Sequence, residues 1–532
     1  MTLPDDFATQ FEQIAELAPD RPAVLSGDRT LTWGDLDARA DRLAAHLAGT
    51  GVGAGDRFAL AARNSPEYLV ALFALLKLAA TPVNVNYRYR AAEVRHVLES
   101  SGAGGVLADA DLVDVVREAG ARAVVTIEPG GGFGAVVDAT PRHPRVRRGD
   151  AEWLLFTGGT TGHPKAVLGR QSERLRAVRS GGFAALGLDP ADGPAALRAA
   201  LERDPFGPDG MVHLPAPPLM HGTGLYAALG ALAVGAPVAL LPGRSTTGAD
   251  LLTALARHRV TDLTIVGDAF ALRLLDALDA SGPAGIERLR RIRSIGAVWS
   301  PPVKRRLLAH ADVTLLDTIA ASEGGVYAVS SVSRATVDDR TGTFTLAPGA
   351  RLLDADDRDV PPGSDEVGFL AAPVVAGAGY EGDPERTAGA FRDLDGVRYS
   401  IPGDMAQLTA DGRLRLLGRG SQVINTGGEK VYADEVELVL RDHPAVRDAV
   451  VLGVPDPTWG SAVAAVVSLV EDGSAGVEEL AAFVGERLAS YKKPRRIAVV
   501  AEVQRLVTGK TDLRWAAARF GPADSVATPT VR

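Results

Sequence analysis

The sequence predicts an α/β fold in two unequal parts: a large N-terminal α/β region of several subdomains and a small α+β C-terminal domain. Three observations carry this expectation. The 532 residues far exceed the ~100–200 usual for one domain, so a large core with a smaller companion is the natural partition. Helical and strand-like patterns alternate from the N terminus to the neighbourhood of Gly418, as in an α/β sheet with its covering helices. Near Gly418 the texture changes to the turn-rich polar run GRGSQVINTGGEK, which marks a domain boundary.

In chain order, Thr32 is placed to cap a helix whose apolar face reads Leu36, Ala40, Leu43, Ala44 and Leu47 and which ends near Gly51, because a threonine oxygen can accept from a free first-turn N–H. Ser65 and Pro66 open a second helix over 68–78, proline being tolerated where no intrahelical donor is needed. Short apolar runs at 124–127, 238–241 and 262–266 read as buried strands. The stretch 185–210, rich in Gly, Pro and Asp around a helical patch at 195–201, reads as a surface insertion, a candidate lid or pocket wall. Past the boundary come a helix, strands at 449–454 and 462–470, a helix over 477–488 and a strand ending at Val500. Residues 521–532 lack periodicity and are expected to be disordered.

Composition narrows the function classes. Hydrophobic residues make up 46% and charged residues 23% of the chain, the balance of a globular enzyme. The net charge of -9 includes no long basic tract, so nucleic acid is not expected as a partner. The absence of cysteine removes disulfides, thiolate catalysis and Cys-ligated zinc. The opening MTLPDDFATQFEQ has no apolar signal core and no window reaches ~18 uninterrupted apolar residues, so no transmembrane segment and a cytoplasmic location are expected.

The strongest local signal is LLFTGGTTGHPKAV at 154–167. A strand-like run leads into Thr157, Gly158, Gly159, Thr160, Thr161, Gly162, His163, Pro164 and Lys165. Glycines let backbone N–H groups turn around an anion, threonines add donors and a lysine adds charge, which makes a phosphate cradle. It is not the nucleoside-triphosphatase loop, because His163 and Pro164 separate Gly162 from Lys165. Alone, the run would also serve as a surface turn. Gly130, Gly132 and Ala135 satisfy a loose dinucleotide fingerprint, but no amphipathic helix or acidic partner follows, which rules out that reading.

This loop, closing on Gly-x-Pro-Lys, resembles the signature of the adenylate-forming superfamily of acyl-CoA synthetases, peptide-synthetase adenylation domains and firefly luciferase. The resemblance runs from TWGDLDARADRLAAHL near the start to TGKTDLRWA near the end. It implies an N-terminal domain (1–418) with the ATP and acyl sites, a hinge at 419–421 containing Gly420 and Ser421, and a mobile C-terminal domain (422–520). Thr157 to Gly162 and Lys165 would bind the nucleotide, with Thr160 taking part in catalysis. DTIAASEGG at 317–325 is similar to the family's Tyr-Gly-x-Thr-Glu segment. It implies that Glu323 is catalytic and helps hold magnesium, a hard cation suited to phosphate and carboxylate oxygens. Ile319, Ala320 and Ser322 stand where the family has tyrosine, glycine and threonine; they would line the nucleotide, with an aliphatic cover replacing aromatic stacking.

The same resemblance places Asp404 on the ribose hydroxyls, where a carboxylate accepts two donors, and Arg419 on ribose or phosphate. Ser421 departs from the aspartate or lysine of many relatives. Gly427, Gly428, Glu429 and Lys430 match the loop lining the channel for coenzyme A. Lys510 matches the lysine that reaches the substrate carboxylate and the α-phosphate, where a mobile ammonium meets shared negative charge. His221, in APPLMHGTG, matches a catalytic and acyl-pocket position; Gly296, Ala297 and Val298 match a strand end lining that pocket, with Trp299 a pocket or core residue. Lys492, Lys493, Arg495 and Arg496 form a basic patch open to coenzyme A phosphates or to solvent alone.

The activity implied is ATP- and Mg2+-dependent adenylation of a carboxylic acid followed by transfer to coenzyme A. Transfer to a carrier protein, or release of the adenylate, stays open, as does an inactive binding protein on the same fold and a homodimeric state. The 185–210 insertion, the SEGG variant and the GKTDLRWA ending are similar to actinobacterial synthetases for fatty or polycyclic acids, implying a large hydrophobic acid.

Overall fold

A computed structural model of the chain describes residues 3–127, 133–134, 140–144, 148–157, 164–241, 243, 246–297, 299–338, 341–419, 422–426, 429–456, 458–470, 473–506 and 509–521. The expected tail at 522–532 and the rejected fingerprint glycines Gly130 and Gly132 therefore lie outside the described residues.

Both N-terminal helices start where the capping residues put them. Trp33–Gly49 is closed at its N terminus by Thr32 and Asp35: Asp35 N donates to Thr32 Oγ1 (3.1 Å) and Thr32 N to Asp35 Oδ2 (3.1 Å), a reciprocal arrangement that satisfies two orphan donors. Pro66–Lys77 begins with Ser65 accepting from Tyr68 N at 3.1 Å. It is buried along its whole length, so it forms the centre of a three-helix layer with Phe7–Leu17 and Trp33–Gly49.

The largest sheet has nine strands and a parallel centre: Pro22–Ser26, Val238–Ala239, His213–Pro215, Asp262–Ile265, Arg291–Ile295 and Thr314–Ala320 lie side by side in that order. Arg29–Thr32 closes one edge; Val326–Val332 and Thr345–Leu346 close the other, all antiparallel. A four-stranded parallel sheet (Thr81–Asn84, Arg57–Ala61, Gly105–Ala108, Val124–Thr126) and an antiparallel body around Gly368–Val374 complete the large domain. The expected α/β class is therefore observed. The strand at 238 ends as a ladder at Ala239, but Leu240 N still donates to Leu25 O (2.8 Å), which is why the apolar run continues past it.

A buried ion cluster ties the three helices together. Lys77 Nζ donates to Glu12 Oε1 (3.0 Å), Asp37 Oδ1 (2.7 Å) and Asp41 Oδ1 (2.6 Å). Arg148 adds two hydrogen bonds to Glu12, at 2.8 and 2.9 Å. Burial favours a protonated Glu12, but Arg148 and Lys77 together outweigh it and hold that carboxyl below its ordinary value. The three carboxylates are close enough to hold a metal ion; the ammonium of Lys77 bonds to all three and supplies the cation.

The 185–210 stretch is tied down. Pro194–Glu202 is a helix with Leu197 fully buried in the main core, and Arg21 NH1 donates to Leu201 O (2.9 Å) and Arg203 O (2.7 Å) at its C-terminal end. Arg288 and Arg290 hold the carbonyls of Phe206, Gly207, Pro208 and Gly210. Guanidinium groups so placed satisfy carbonyls that a Gly/Pro-rich stretch leaves unpaired.

The small domain follows the expected order. Helix Ala433–Arg441 precedes the antiparallel strands Val446–Asp456 and Gly460–Leu469; helix Val477–Gly485 leads to Arg496–Val500, parallel to the second strand. Val451, Val463, Ala465, Leu480 and Val484 meet in its core. No helix among the described residues is long and apolar enough to cross a membrane.

Candidate active site

The two strands that flank the glycine- and threonine-rich run pair antiparallel. Glu152–Thr157 pairs with Lys165–Arg170 in continuous register, so Thr157 lies directly opposite Lys165. Gly158, Gly159, Thr160, Thr161 and Gly162 lie outside the described residues. Asn84 fixes the strand behind the loop: its Nδ2 donates to Phe156 O (2.9 Å) and Met220 O (2.7 Å), and its Oδ1 accepts from Phe156 N (2.7 Å). One amide thus holds the hairpin against the segment carrying His221. Asn64 and Tyr68 hold that segment from the other side, Asn64 Oδ1 accepting from Leu219 N (2.8 Å) and Tyr68 OH donating to Leu219 O (3.2 Å).

Lys165 and Glu323 converge on a residue the sequence reading missed. Tyr380 pairs in register with Val167, so its ring lies beside Lys165, whose Nζ is 5.3 Å from the ring centroid. Its hydroxyl donates to Glu323 Oε1 at 2.5 Å. Glu323 sits in the turn after Thr314–Ala320, the strand that ends with Ile319 and Ala320, and Ser322 precedes it half-buried. The two glycines after Glu323 are both required. Gly324 (φ 113°) and Gly325 (φ 85°) occupy left-handed backbone, and a Cβ on Gly325 would lie 2.6 Å from Ala372 Cβ. Tyr327 OH (3.0 Å) and Ser400 Oγ (2.9 Å) both donate to Gly324 O.

His221 occupies the N-cap position of helix Gly222–Leu232 with extended backbone. Its Nε2 is buried and has no hydrogen-bond partner among the described residues. Burial first, and the cation of Lys510 second, push His221 down to about 4, so the ring is neutral at pH 7. Lys510 arrives on a tight turn in which Gly509 N donates to Leu506 O (2.8 Å) and Leu506 N to Lys510 O (2.9 Å). Gly509 has φ 78°, and a Cβ there would come within 3.0 Å of Val266 Cβ and Val266 O. The turn therefore packs against the start of helix Gly267–Ser281. Gly296 (φ 98°) lies against the start of helix Gly222–Leu232, the position of its absent Cβ lying 3.6 Å from Thr223 Oγ1. Ala297 packs against the core around Trp299; Val298 lies outside the described residues.

Asp404 and Arg419 are direct cross-strand partners at the joined ends of Asp404–Leu408 and Leu414–Arg419, so the two expected nucleotide contacts share one rung. Gly420, Ser421, Gly427 and Gly428 lie outside the described residues. Glu429 and Lys430 open a strand whose partner is Val423–Thr426, with Glu429 opposite Thr426 and Lys430 opposite Asn425. The basic patch is partly committed: Lys492 Nζ donates to Glu435 Oε2 (2.6 Å), Arg495 stacks on Trp459 (4.2 Å) and Arg496 NH2 donates to Phe520 O (2.6 Å).

The sequence matches the AMP-binding enzyme family over residues 11–371 and the AMP-binding enzyme C-terminal domain over 435–510. The chain belongs to the AMP-binding enzyme family and is an AMP-forming acid–CoA ligase. It is 36% identical over 97% of its length, and 96% of the relative's, to a medium/long-chain-fatty-acid–CoA/3-oxocholest-4-en-26-oate–CoA ligase of Mycobacterium tuberculosis. It is 34% identical, over 98% of its length and 97% of the relative's, to a 3-oxocholest-4-en-26-oate–CoA ligase of Rhodococcus rhodochrous. Among solved structures, a benzoate CoA ligase from Burkholderia xenovorans LB400 superposes with TM-score 0.81 at 25% identity, covering 96% of this chain and 99% of that one.

A second histidine gives the protein a measurable acid sensitivity. His213, in the central sheet with Nε2 3.1 Å from Thr264 Oγ1, is also pushed down to about 4, chiefly by burial. The unfolded chain binds this proton near pH 6.5 while the folded chain refuses it until about pH 4, so stability falls as pH drops through that window. Between pH 7 and 5 the loss is about 2 kcal/mol for one such group. His213→Gln should flatten the dependence of urea stability on pH by that amount; an unchanged slope would show that the ring titrates normally.

Proposed function

We propose that the acid is large and hydrophobic, of the fatty or polycyclic class, and that Lys510, His221, Glu323 and Lys165 carry its adenylation. The observation that carries the residue roles is the convergence of Lys510 on His221 at one side and of Lys165 and Glu323 on Tyr380 at the other. The substrate class is supported by the fatty-acid and 3-oxocholestenoate ligases that the chain resembles along its whole length.

In the first half-reaction the acid's carboxylate oxygen attacks the α-phosphorus of ATP, the bond to the β-phosphate oxygen breaks and pyrophosphate leaves. Charge is shared between carboxylate and phosphate at that moment, so a positioned ammonium lowers the barrier without an acid–base pair. Lys510 brings that charge; the neutral ring of His221 offers the acid a polar neighbour without a second cation. Thr157, Thr160 and the loop glycines bind the triphosphate with Lys165, while Asp404 and Arg419 hold the ribose side. Magnesium fits at Glu323: Tyr380 occupies Oε1, and the other oxygen accepts no hydrogen bond among the described residues. Bound there with the phosphates, the ion would neutralise their charge. In the second half-reaction the small domain turns about 419–421, presenting 427–430 to coenzyme A. The thiolate sulfur attacks the acyl carbonyl and AMP departs with the bonding pair.

Tyr380→Phe removes the hydrogen bond that orients Glu323 and should lower kcat for pyrophosphate release about tenfold, the effect of ~1.4 kcal/mol, with a raised magnesium requirement. Unchanged magnesium dependence would detach Glu323 from the metal. The substrate is tested by pyrophosphate release over short, long-chain, aromatic and polycyclic acids, each with free coenzyme A or a carrier protein as acceptor. A strict preference for acetate or an amino acid would overturn the hydrophobic reading, and adenylate without free-CoA thioester would move the acceptor to the carrier.

A further inference from the structure

We propose that Asp268 and Arg441 are positioning residues for adenylation: their ion pair across the domain junction holds the small domain in the posture that presents Lys510. The inference rests on the reading of Lys510 given above and adds the device that seats it.

Asp268 lies in the first turn of helix Gly267–Ser281, and Arg441 ends helix Ala433–Arg441 of the small domain. Their side chains are only 2% and 4% exposed, and Arg441 NH1 lies 3.7 Å from Asp268 Oδ2. Neither of these two atoms has a hydrogen bond among the described residues. The remaining atoms are committed elsewhere. Asp268 Oδ1 accepts from Ser300 N (2.9 Å) in the large domain. Arg441 Nε donates to Asp448 Oδ1 (3.2 Å), and its NH2 donates to Glu437 Oε2 (3.1 Å) and Ala449 O (2.7 Å) in the small one.

Asp448 continues the chain to the lysine. It receives Arg505 at Oδ2 (2.9 Å) and Oδ1 (2.7 Å), and Arg505 is bridged to Thr511 across the turn that carries Lys510. Asp268, Arg441, Asp448 and Arg505 thus form one line of charge from the large domain to the base of the lysine turn. A second pair on the same helix, Asp276 with Arg447, crosses the junction nearer the surface. Within the small domain Arg441 and Arg505 already face Glu437 and Asp448, with Asp434 acting on Arg441 as well, so those cations have opposite charge without Asp268. Asp268, by contrast, has its one ion-pair partner among the described residues in the other domain, so it finds that charge when the domains meet. A buried charge that gains its partner in one posture favours that posture over the other.

The test is Asp268→Lys in the full chain, read in two assays: pyrophosphate release from acid and ATP, and thioester formation from supplied acyl-adenylate and coenzyme A. Two cations then face each other only in the Lys510-presenting posture, so pyrophosphate release should fall at least tenfold while thioester formation stays level or rises. The acyl-adenylate occupies the same acyl pocket, so damage to that pocket would lower both rates together; equal losses, or no loss in either assay, overturn the proposal. Asp276→Lys, at an exposed pair, should give the same split at two- to threefold and decides the matter if Asp268→Lys lacks a cooperative urea transition. Lys510→Ala run alongside separates the two readings: if it adenylates normally the role of Lys510 fails, whereas if it fails to adenylate and Asp268→Lys does not, only the ion-pair proposal falls.

Discussion

Lys510→Ala is expected to slow pyrophosphate release by about 100- to 1,000-fold, the usual cost of removing one preorganised group from a developing charge, while leaving thioester formation from supplied acyl-adenylate within about threefold. The asymmetry follows from where the side chain sits. Its ammonium is near enough to His221 to act on that ring electrostatically, and it is beside that ring that the carboxylate and the α-phosphate meet in the proposed first step. No negative charge of that kind builds up when sulfur displaces AMP. The delivery is sterically exact in a way that can be probed separately: Gly509→Ala keeps the lysine but places a methyl group 3.0 Å from Val266 Cβ, at φ 78°. That variant should lose adenylation in the same assay and retain the thiol step. Equal loss in both steps for either variant would show that the turn serves only the stability of the small domain.

Lys77→Met should destabilise the large domain by about 3–5 kcal/mol, since it leaves three carboxylates, all buried, without their shared cation. Burial first, with Asp41 adding to it, already pushes the Asp37 carboxyl up against the pull of Lys77; removing the ammonium removes the restraint. The urea midpoint of the large domain reports the loss. The triple change Lys77→Met, Asp37→Asn, Asp41→Asn should recover much of it, because deleting a whole ionic group is far less costly than orphaning part of it. If Lys77→Met alone is neutral, the cluster is hydrated and its charges are screened.

Much of the architecture was legible because local chemistry and tertiary structure agree. Thr32 and Ser65 cap the helices their positions predict, and the small domain follows the order read from periodicity. At the site, Thr157 and Lys165, which bound the glycine- and threonine-rich run, pair across two antiparallel strands, and Asp404 meets Arg419. The sequence concealed contacts made by single polar residues between distant segments. Tyr380 reaches Glu323 across 57 positions and Asn84 reaches Met220 across 136; neither lies in a repeating pattern, and nothing in its neighbours distinguishes it from a surface residue. Asp268 and Arg441 were hidden for the same reason. The 185–210 stretch, expected as a surface insertion, is secured by Arg21, Arg288 and Arg290, which come from far along the chain and leave no local sign of how it is held.

The rung shared by Asp404 and Arg419 has a consequence for the fate of the intermediate. If the nucleotide is gripped one residue pair from the pivot, the grip lies almost on the rotation axis and sweeps little distance while the rest of the small domain swings. The mixed anhydride can then be kept in place through the swing, sheltered from hydrolysis, and handed to the incoming thiol without ever being set free.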